Sequence, residues 1–267
     1  MIKDVQRHFS RIANRYTHLR TTDDAPIAFI KSWLKTRPVS IIAEIGCGDG
    51  RYTARLLQSI QGDPFFYCVD KNKAMLSLLS KSLKDGGFKN FKIIQASAEH
   101  LPFESNSIDV LFIFNAVHHF QLPQFLDECL RCLRNHGRIF IYTRFKNQNS
   151  RNIWGKYFPL FQKKETRLFT LSLFQSNMKK APGLLVEHIE YFRFPRVENI
   201  NRLKEQAQGK HYSTFNLYTE TEFKRSLKTF IDRLQKRFHD VNRISWHDEN
   251  TLIILKKIQA ILYERKS

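Results

Sequence analysis

Between residues 39 and 143, short apolar runs alternate with longer stretches of helical spacing, and this alternation restricts the fold more than any other feature. Residues 39–45 (Val-Ser-Ile-Ile-Ala-Glu-Ile) lie between Pro38 and Gly46 and read as a buried strand. Residues 65–69, 91–94, 108–114 and 138–143 read the same way, the second run closing at Asp70. Between them, three groups recur at helical spacing: Tyr52, Leu56, Leu57 and Ile60; Ala74, Met75, Leu78, Leu79 and Leu83; Leu122, Phe125, Leu126, Cys129, Leu130 and Leu133. Strands separated by helices of this length join through right-handed crossovers into a parallel, doubly wound α/β sheet. Ligands of such sheets bind beyond the carboxyl ends of the strands. Here those ends are residues 46–50, Asp70, residues 97–99 and residues 115–119.

The first of these ends carries the strongest motif, Glu44-Ile45-Gly46-Cys47-Gly48-Asp49-Gly50. Glycines at 46, 48 and 50 allow a sharp turn and a close approach of backbone to ligand, and the helix that follows offers free N–H groups. The dinucleotide fingerprint would need a glycine at 51, which is Arg51. A P-loop is excluded because no Gly-Lys-Ser/Thr follows. Asp70, twenty residues after Gly50, closes the second strand, where a carboxylate can accept hydrogen bonds from two ribose hydroxyls.

Residues 43–50, residues 69–72 through Met75, residues 98–103, and residues 107–110 through His118-His119-Phe120 resemble, in order, the motifs of class I S-adenosylmethionine-dependent methyltransferases. The group most resembled is the type 11, ubiquinone/menaquinone-methyltransferase-like one, over about residues 10–145. The resemblance implies a Rossmann-like sheet of about seven strands, mostly parallel, with an antiparallel last strand near residues 251–255 and a helical insertion before it. It implies S-adenosyl-L-methionine as cofactor, no metal, and direct transfer of the sulfonium methyl. By position, Glu44 and the backbone of Gly46, Cys47, Gly48 and Gly50 would surround the methionine part. Asp70 would bind the ribose, with Lys71 beside it. Ala98 and Glu99 match the stretch that meets the adenine, and Ser97 stands where family members usually carry Asp. Asn115 would border the methionine moiety and the acceptor. Tyr16 and Arg20 belong to a segment resembling the family's cofactor cover; the alternative is two surface residues on a helix.

Candidates for catalysis follow from place and residue type. His118 and His119 adjoin the expected site; one is a candidate general base, or both are scaffold. His211 and Tyr212 lie in Lys210-His211-Tyr212-Ser213-Thr214-Phe215, just before a helix that Thr219 and Glu222 begin as a capping box. Residues 199–240 then read as a lid over the acceptor, or as a plain loop and helix. The chain is expected to be one domain: a helical cap over 1–36, a cofactor-binding core over 37–145, and a C-terminal part over 146–267. Cys129-x-x-Cys132 lacks a second ligand pair at zinc spacing and sits in a leucine-rich helix, so core cysteines are the simpler reading.

The charge is uneven. The chain's 267 residues carry a formal +19; residues 1–145 hold 20 Lys and Arg against 13 Asp and Glu, and residues 146–267 hold 24 against 12. The basic half suits RNA or another polyanion, an anionic substrate, or simple solvation. No apolar run approaches a membrane span and no secretory h-region opens the chain, so a cytoplasmic protein is expected. A small-molecule acceptor fits the resemblance best. A tRNA or RNA methyltransferase is the alternative, and a non-catalytic cofactor-binding or interaction protein a third.

Overall fold

The computed structural model describes residues 19–258. Tyr16 lies outside them. After non-helical residues 20–24, α1 (Ala25–Leu34) leads to β1 (Ile41–Ile45), α2 (Arg51–Ser59), β2 (Phe65–Asp70), α3 (Lys73–Asp85), β3 (Phe91–Gln95), β4 (Ile108–Phe114), α4 (Leu122–Cys132) and β5 (Leu133–Thr143). The four short helices α5 (Lys146–Arg151), α6 (Ile153–Tyr157), α7 (Phe161–Lys164) and α8 (Leu171–Met178) precede β6 (Leu184–Glu198). The helices α9 (Ile200–Gln208) and α10 (Glu220–Arg237) then lead to β7 (Ile244–Lys257). Of the stretch expected to be helical over 1–36, the described part is helical at Leu19 and over α1, which carries Pro26 in its first turn, and non-helical over residues 20–24.

The seven strands form one sheet in the order β3-β2-β1-β4-β5-β7-β6. The first five pair in parallel, and β7 runs antiparallel to both β5 and β6. This is the Rossmann-like sheet of mostly parallel strands that the sequence resemblance implies. The order reverses between β1 and β4, which opens a crevice at the carboxyl ends of those two strands.

Period-two alternation sorts the strand residues onto two faces. Ile45, Ile113, Ile141 and Ile253 pack with Phe125 and Leu126 of α4 and Phe174 of α8. Ile42, Phe112, Phe140 and Ile254 pack with Ile30 of α1 and Leu56 of α2. Cys129 and Cys132 are buried in the first of these cores as free thiols. The C-terminal helices build a third core of their own, in which Trp154, Phe158, Phe161, Phe215, Phe223 and Phe230 meet. It holds six of the eleven phenylalanines after residue 140, Phe238 among them at its edge. Its long helix α10 is capped as the sequence predicts: Thr219 Oγ1 accepts from the Glu222 N–H at 3.2 Å, and the Glu222 carboxylate accepts from the Thr219 N–H at 2.9 Å.

Candidate active site

The strand ends at the crevice surround a cavity of about 650 Å³. The glycine loop forms its floor. Gly46 has φ +73°, and a Cβ there would stand 2.6 Å from the Ala116 Cβ, so the loop after β4 can approach only a residue without a side chain. Gly48 has φ +58°, and a Cβ there would meet only Met75 Cε, at 3.6 Å. Its N–H donates to Asp70 Oδ2 at 2.9 Å, and the Asn72 N–H donates to Asp70 Oδ1 at 2.7 Å. Asp70 thus ties the ends of β1 and β2 together. Burial raises its pKa, against the lowering effect of the Asn72 and Gly48 N–H groups.

Glu44 is fully buried beneath the loop, where it accepts a hydrogen bond from Thr53 Oγ1 at 2.5 Å. Burial pushes its pKa up to about 8, the Thr53 bond opposing, and Asp49 adding to the rise. Burial also pushes the Cys47 thiol well above its ordinary range. Lys71, Ser97, Ala98, Glu99 and Asn115 line the same cavity. The Ser97 hydroxyl donates to the Glu99 carboxylate, which also accepts from the Gln121 N–H at 2.9 Å. Burial opposes ionisation of Glu99, but these bonds hold its pKa below the usual value. The loop bearing these residues is clasped from α4. Glu128 accepts from the Leu101 N–H at 2.6 Å, while Arg131 donates to the Leu101 and Phe103 carbonyls at 2.9 and 2.6 Å.

A second, smaller cavity of about 140 Å³ adjoins the first. The two share Arg51, Tyr52, Asn115, His118 and His119 along their walls. Asn115 sits at φ +53°, and its side-chain oxygen accepts from Asn250 Nδ2 at 3.1 Å. The far wall comes from Arg20, the end of β5 and the helical insertion. Arg20 lies 4.5 Å from the centre of the Tyr212 ring, and Arg144 Nη1 donates to the Tyr212 hydroxyl at 3.0 Å. Arg144 also pairs with Asp248 at 3.4 Å, and Arg196 pairs with Asp23 at 2.6 Å and with Asp248 at 3.3 Å. His211 is buried beside Trp154, with ring centres 4.8 Å apart and Nδ1 2.9 Å from the Gln206 carbonyl. Burial, with Arg20 adding to it, drives the His211 pKa far below that of a free histidine.

His118 and His119 form a short 3₁₀ turn after β4, their ring centres 4.1 Å apart. Burial, with the Arg167 and Arg20 charges acting in the same direction, lowers the His118 pKa to about 3. His118 is therefore neutral and a weak base as it stands. Arg167 grips Glu165 through Nε at 2.9 Å and Nη2 at 2.5 Å, and Thr214 Oγ1 donates to the same carboxylate at 2.5 Å. Among the described residues, Arg167 Nη1 and His118 Nδ1 are buried with no hydrogen-bond partner.

The structure thus gathers Glu44, Gly46, Cys47, Gly48, Asp70, Lys71, Ser97, Ala98, Glu99 and Asn115 around one cavity, with Gly50 starting α2 behind it. It places Arg20, His211 and Tyr212 around the other. Sequence reasoning missed Arg51, Arg144, Glu165 and Arg167. Arg144 follows directly on β5, so the strand-end rule that finds Asp70 could have found it. Glu165 and Arg167 sit in an irregular loop and gave no signal.

Residues 43–141 match the family profile described as "Methyltransferase domain". Over β1 to β5 the chain is therefore similar to methyltransferase domains. The chain is 28% identical to the mouse (Mus musculus) tRNA (carboxymethyluridine(34)-5-O)-methyltransferase ALKBH8 over 162 residues, 57% of this chain and 23% of that protein. It is 27% identical to the demethylmenaquinone methyltransferase of Lactobacillus johnsonii over 218 residues, 77% of this chain and 83% of that protein. The fold also superposes on the YcgJ protein of Bacillus subtilis with a TM-score of 0.64, covering 89% of this chain and all of that one at 19% identity.

Proposed function

We propose that the protein transfers the methyl group of S-adenosylmethionine to a small-molecule acceptor by direct displacement, and that it works in the cytoplasm. The observation that carries this reading is the large cavity at the β1–β4 switch point, floored by a loop that leaves room above Gly48 and flanked by Asp70. Gly46, Cys47 and Gly48 would hold the methionine portion, Asp70 the ribose, and Ala98 and Glu99 the adenine. In this geometry the Ser97 hydroxyl works through Glu99, which it helps keep ionised. When bound, the cofactor supplies an already activated methyl group.

The protein's own part is alignment and exclusion of water. Asn115 and His118 stand in the wall between the two cavities, where donor and acceptor would face each other. Tyr212 closes the far side, fixed by Arg144 at its hydroxyl and Arg20 at its ring. The similarity to a demethylmenaquinone methyltransferase over most of both chains supports a small acceptor. The four cysteines are all free and buried, which suits a reducing compartment. No described helix is long and apolar enough to cross a membrane.

A second reading, tRNA as acceptor, rests on the mouse relative and on the outer face of α10, where Lys224, Arg225, Lys228, Arg233, Lys236 and Arg237 are exposed. One experiment decides. Calorimetric titration with S-adenosylhomocysteine comes first, then incubation of the protein with radiolabelled methyl donor and either a small-molecule extract or bulk tRNA at moderate salt. We expect S-adenosylhomocysteine to bind and label to enter the small-molecule fraction. Failure to bind rejects the cofactor, and label in one position of tRNA replaces the acceptor.

A further inference from the structure

The neck between the two cavities is electrostatically one-sided. Arg167 lines the larger cavity with one guanidinium edge held by Glu165, so the pair is neutral as a unit, yet its Nη1 is buried and unpartnered. His118 lines both cavities, and its Nδ1 is also buried and unpartnered. The charged groups that act on this ring are Arg167 and Arg20, both cations. Of the four acids that line the smaller cavity, three are engaged by cations, Glu165 by Arg167 (and by Thr214), Asp23 by Arg196, and Asp248 by Arg144 and Arg196; Glu198 is the fourth. Buried donors of this kind are costly unless a ligand satisfies them, and a guanidinium edge matches the two oxygens of a carboxylate or phosphate.

Resting on the methyltransferase reading above, we propose that the acceptor is a small anion whose carboxylate or phosphate binds at this neck, to Arg167 Nη1 and His118 Nδ1 in the field of Arg20. His118 donates from Nδ1 in this arrangement, which fixes its tautomer. The cavity beyond the neck, about 140 Å³ and walled by Trp154 and Tyr212, has room for a compact group rather than a long chain. The anion here has two possible sources, the acceptor or the methionine carboxylate of the cofactor itself, and the test separates them.

Protein saturated with S-adenosylhomocysteine is titrated with benzoate, its neutral counterpart benzamide, and inorganic phosphate. Binding is followed by calorimetry and by the ring nitrogen resonances of His118. We expect saturable binding of benzoate or phosphate to the cofactor-loaded protein, and benzamide to be at least about tenfold weaker, the lower range for a hydrogen bond to a charged group. The His118 resonances should move with the anion and not with benzamide. Arg167→Gln should weaken the anion about ten- to a hundredfold while S-adenosylhomocysteine affinity holds. If that variant does not fold because Glu165 is left unpaired, the wild-type resonances decide. Anion binding that occurs only without S-adenosylhomocysteine and is displaced by it assigns the neck to the cofactor carboxylate and overturns the proposal. So does benzamide binding as tightly as benzoate, or no anion binding to the loaded protein. Failure of S-adenosylhomocysteine itself to bind rejects the methyltransferase reading instead.

Discussion

Two carboxylates beside one glycine loop, Asp70 and Glu44, are pushed the same way by burial, yet they do different work. Asp70 reaches two backbone N–H groups and faces the cavity, so Asp70→Ala should remove both a ribose acceptor and a brace on Gly48. We expect S-adenosylhomocysteine affinity to fall about ten- to a hundredfold by calorimetry; unchanged affinity would take Asp70 out of the site. Glu44 lies beneath the loop at the inner wall of the cavity, where burial pushes its pKa up to about 8. Its folded pKa stands above its unfolded one, so the folded state keeps a proton that the unfolded state gives up. The stabilisation this provides is complete below the unfolded value, about 4.3, and is lost as pH rises through about 8. Glu44→Gln keeps an acceptor for Thr53 and removes the titration. Its melting temperature relative to wild type should climb as pH goes from 5 to 8, and a constant difference across that range would contradict the assigned protonation.

At the scale of elements, the sequence made the strand ends around the larger cavity legible and the wall of the smaller cavity only partly so. Strands β1 to β5 announce themselves because each is a short apolar run between turn signals, and their ends must be where a ligand binds. Helix α10 was legible from Thr219, Glu222 and its apolar face. The strands β6 and β7 run further than their apolar cores suggest, to Glu198 and back to Ile244, because long antiparallel pairing carries charged residues such as Arg196 and Asp248 into the sheet. Those charges hold Arg144 and the wall of the smaller cavity, and no local pattern reveals pairs that lie about fifty or a hundred residues apart. The segment around His211 and Tyr212 does lie against the site, anchored by the aromatic core behind it. We therefore expect Tyr212→Phe to cut turnover with S-adenosylhomocysteine affinity nearly unchanged, since only the Arg144 bond is lost. Equal turnover in the two proteins would make the segment a bystander. His211 is held neutral by burial, so a pH–rate profile of the wild-type enzyme should show no limb from it near pH 6.5.

For the whole molecule, the +19 charge and the exposed basic face of α10 set how the protein meets polyanions. Bulk tRNA should bind weakly and lose affinity steeply between low and moderate salt, as counterion release requires; salt-insensitive binding measured by filter retention would point to specific contacts. The common wall of the two cavities has another consequence. Asn115, His118 and their neighbours are surface to both compartments, so whatever fills one compartment becomes part of the boundary of the other. Occupancy on the two sides is then coupled, and equilibrium coupling is reciprocal: the factor by which one ligand tightens the second is the factor by which the second tightens the first. The demethylated product should dissociate more slowly while an acceptor analogue is still in place.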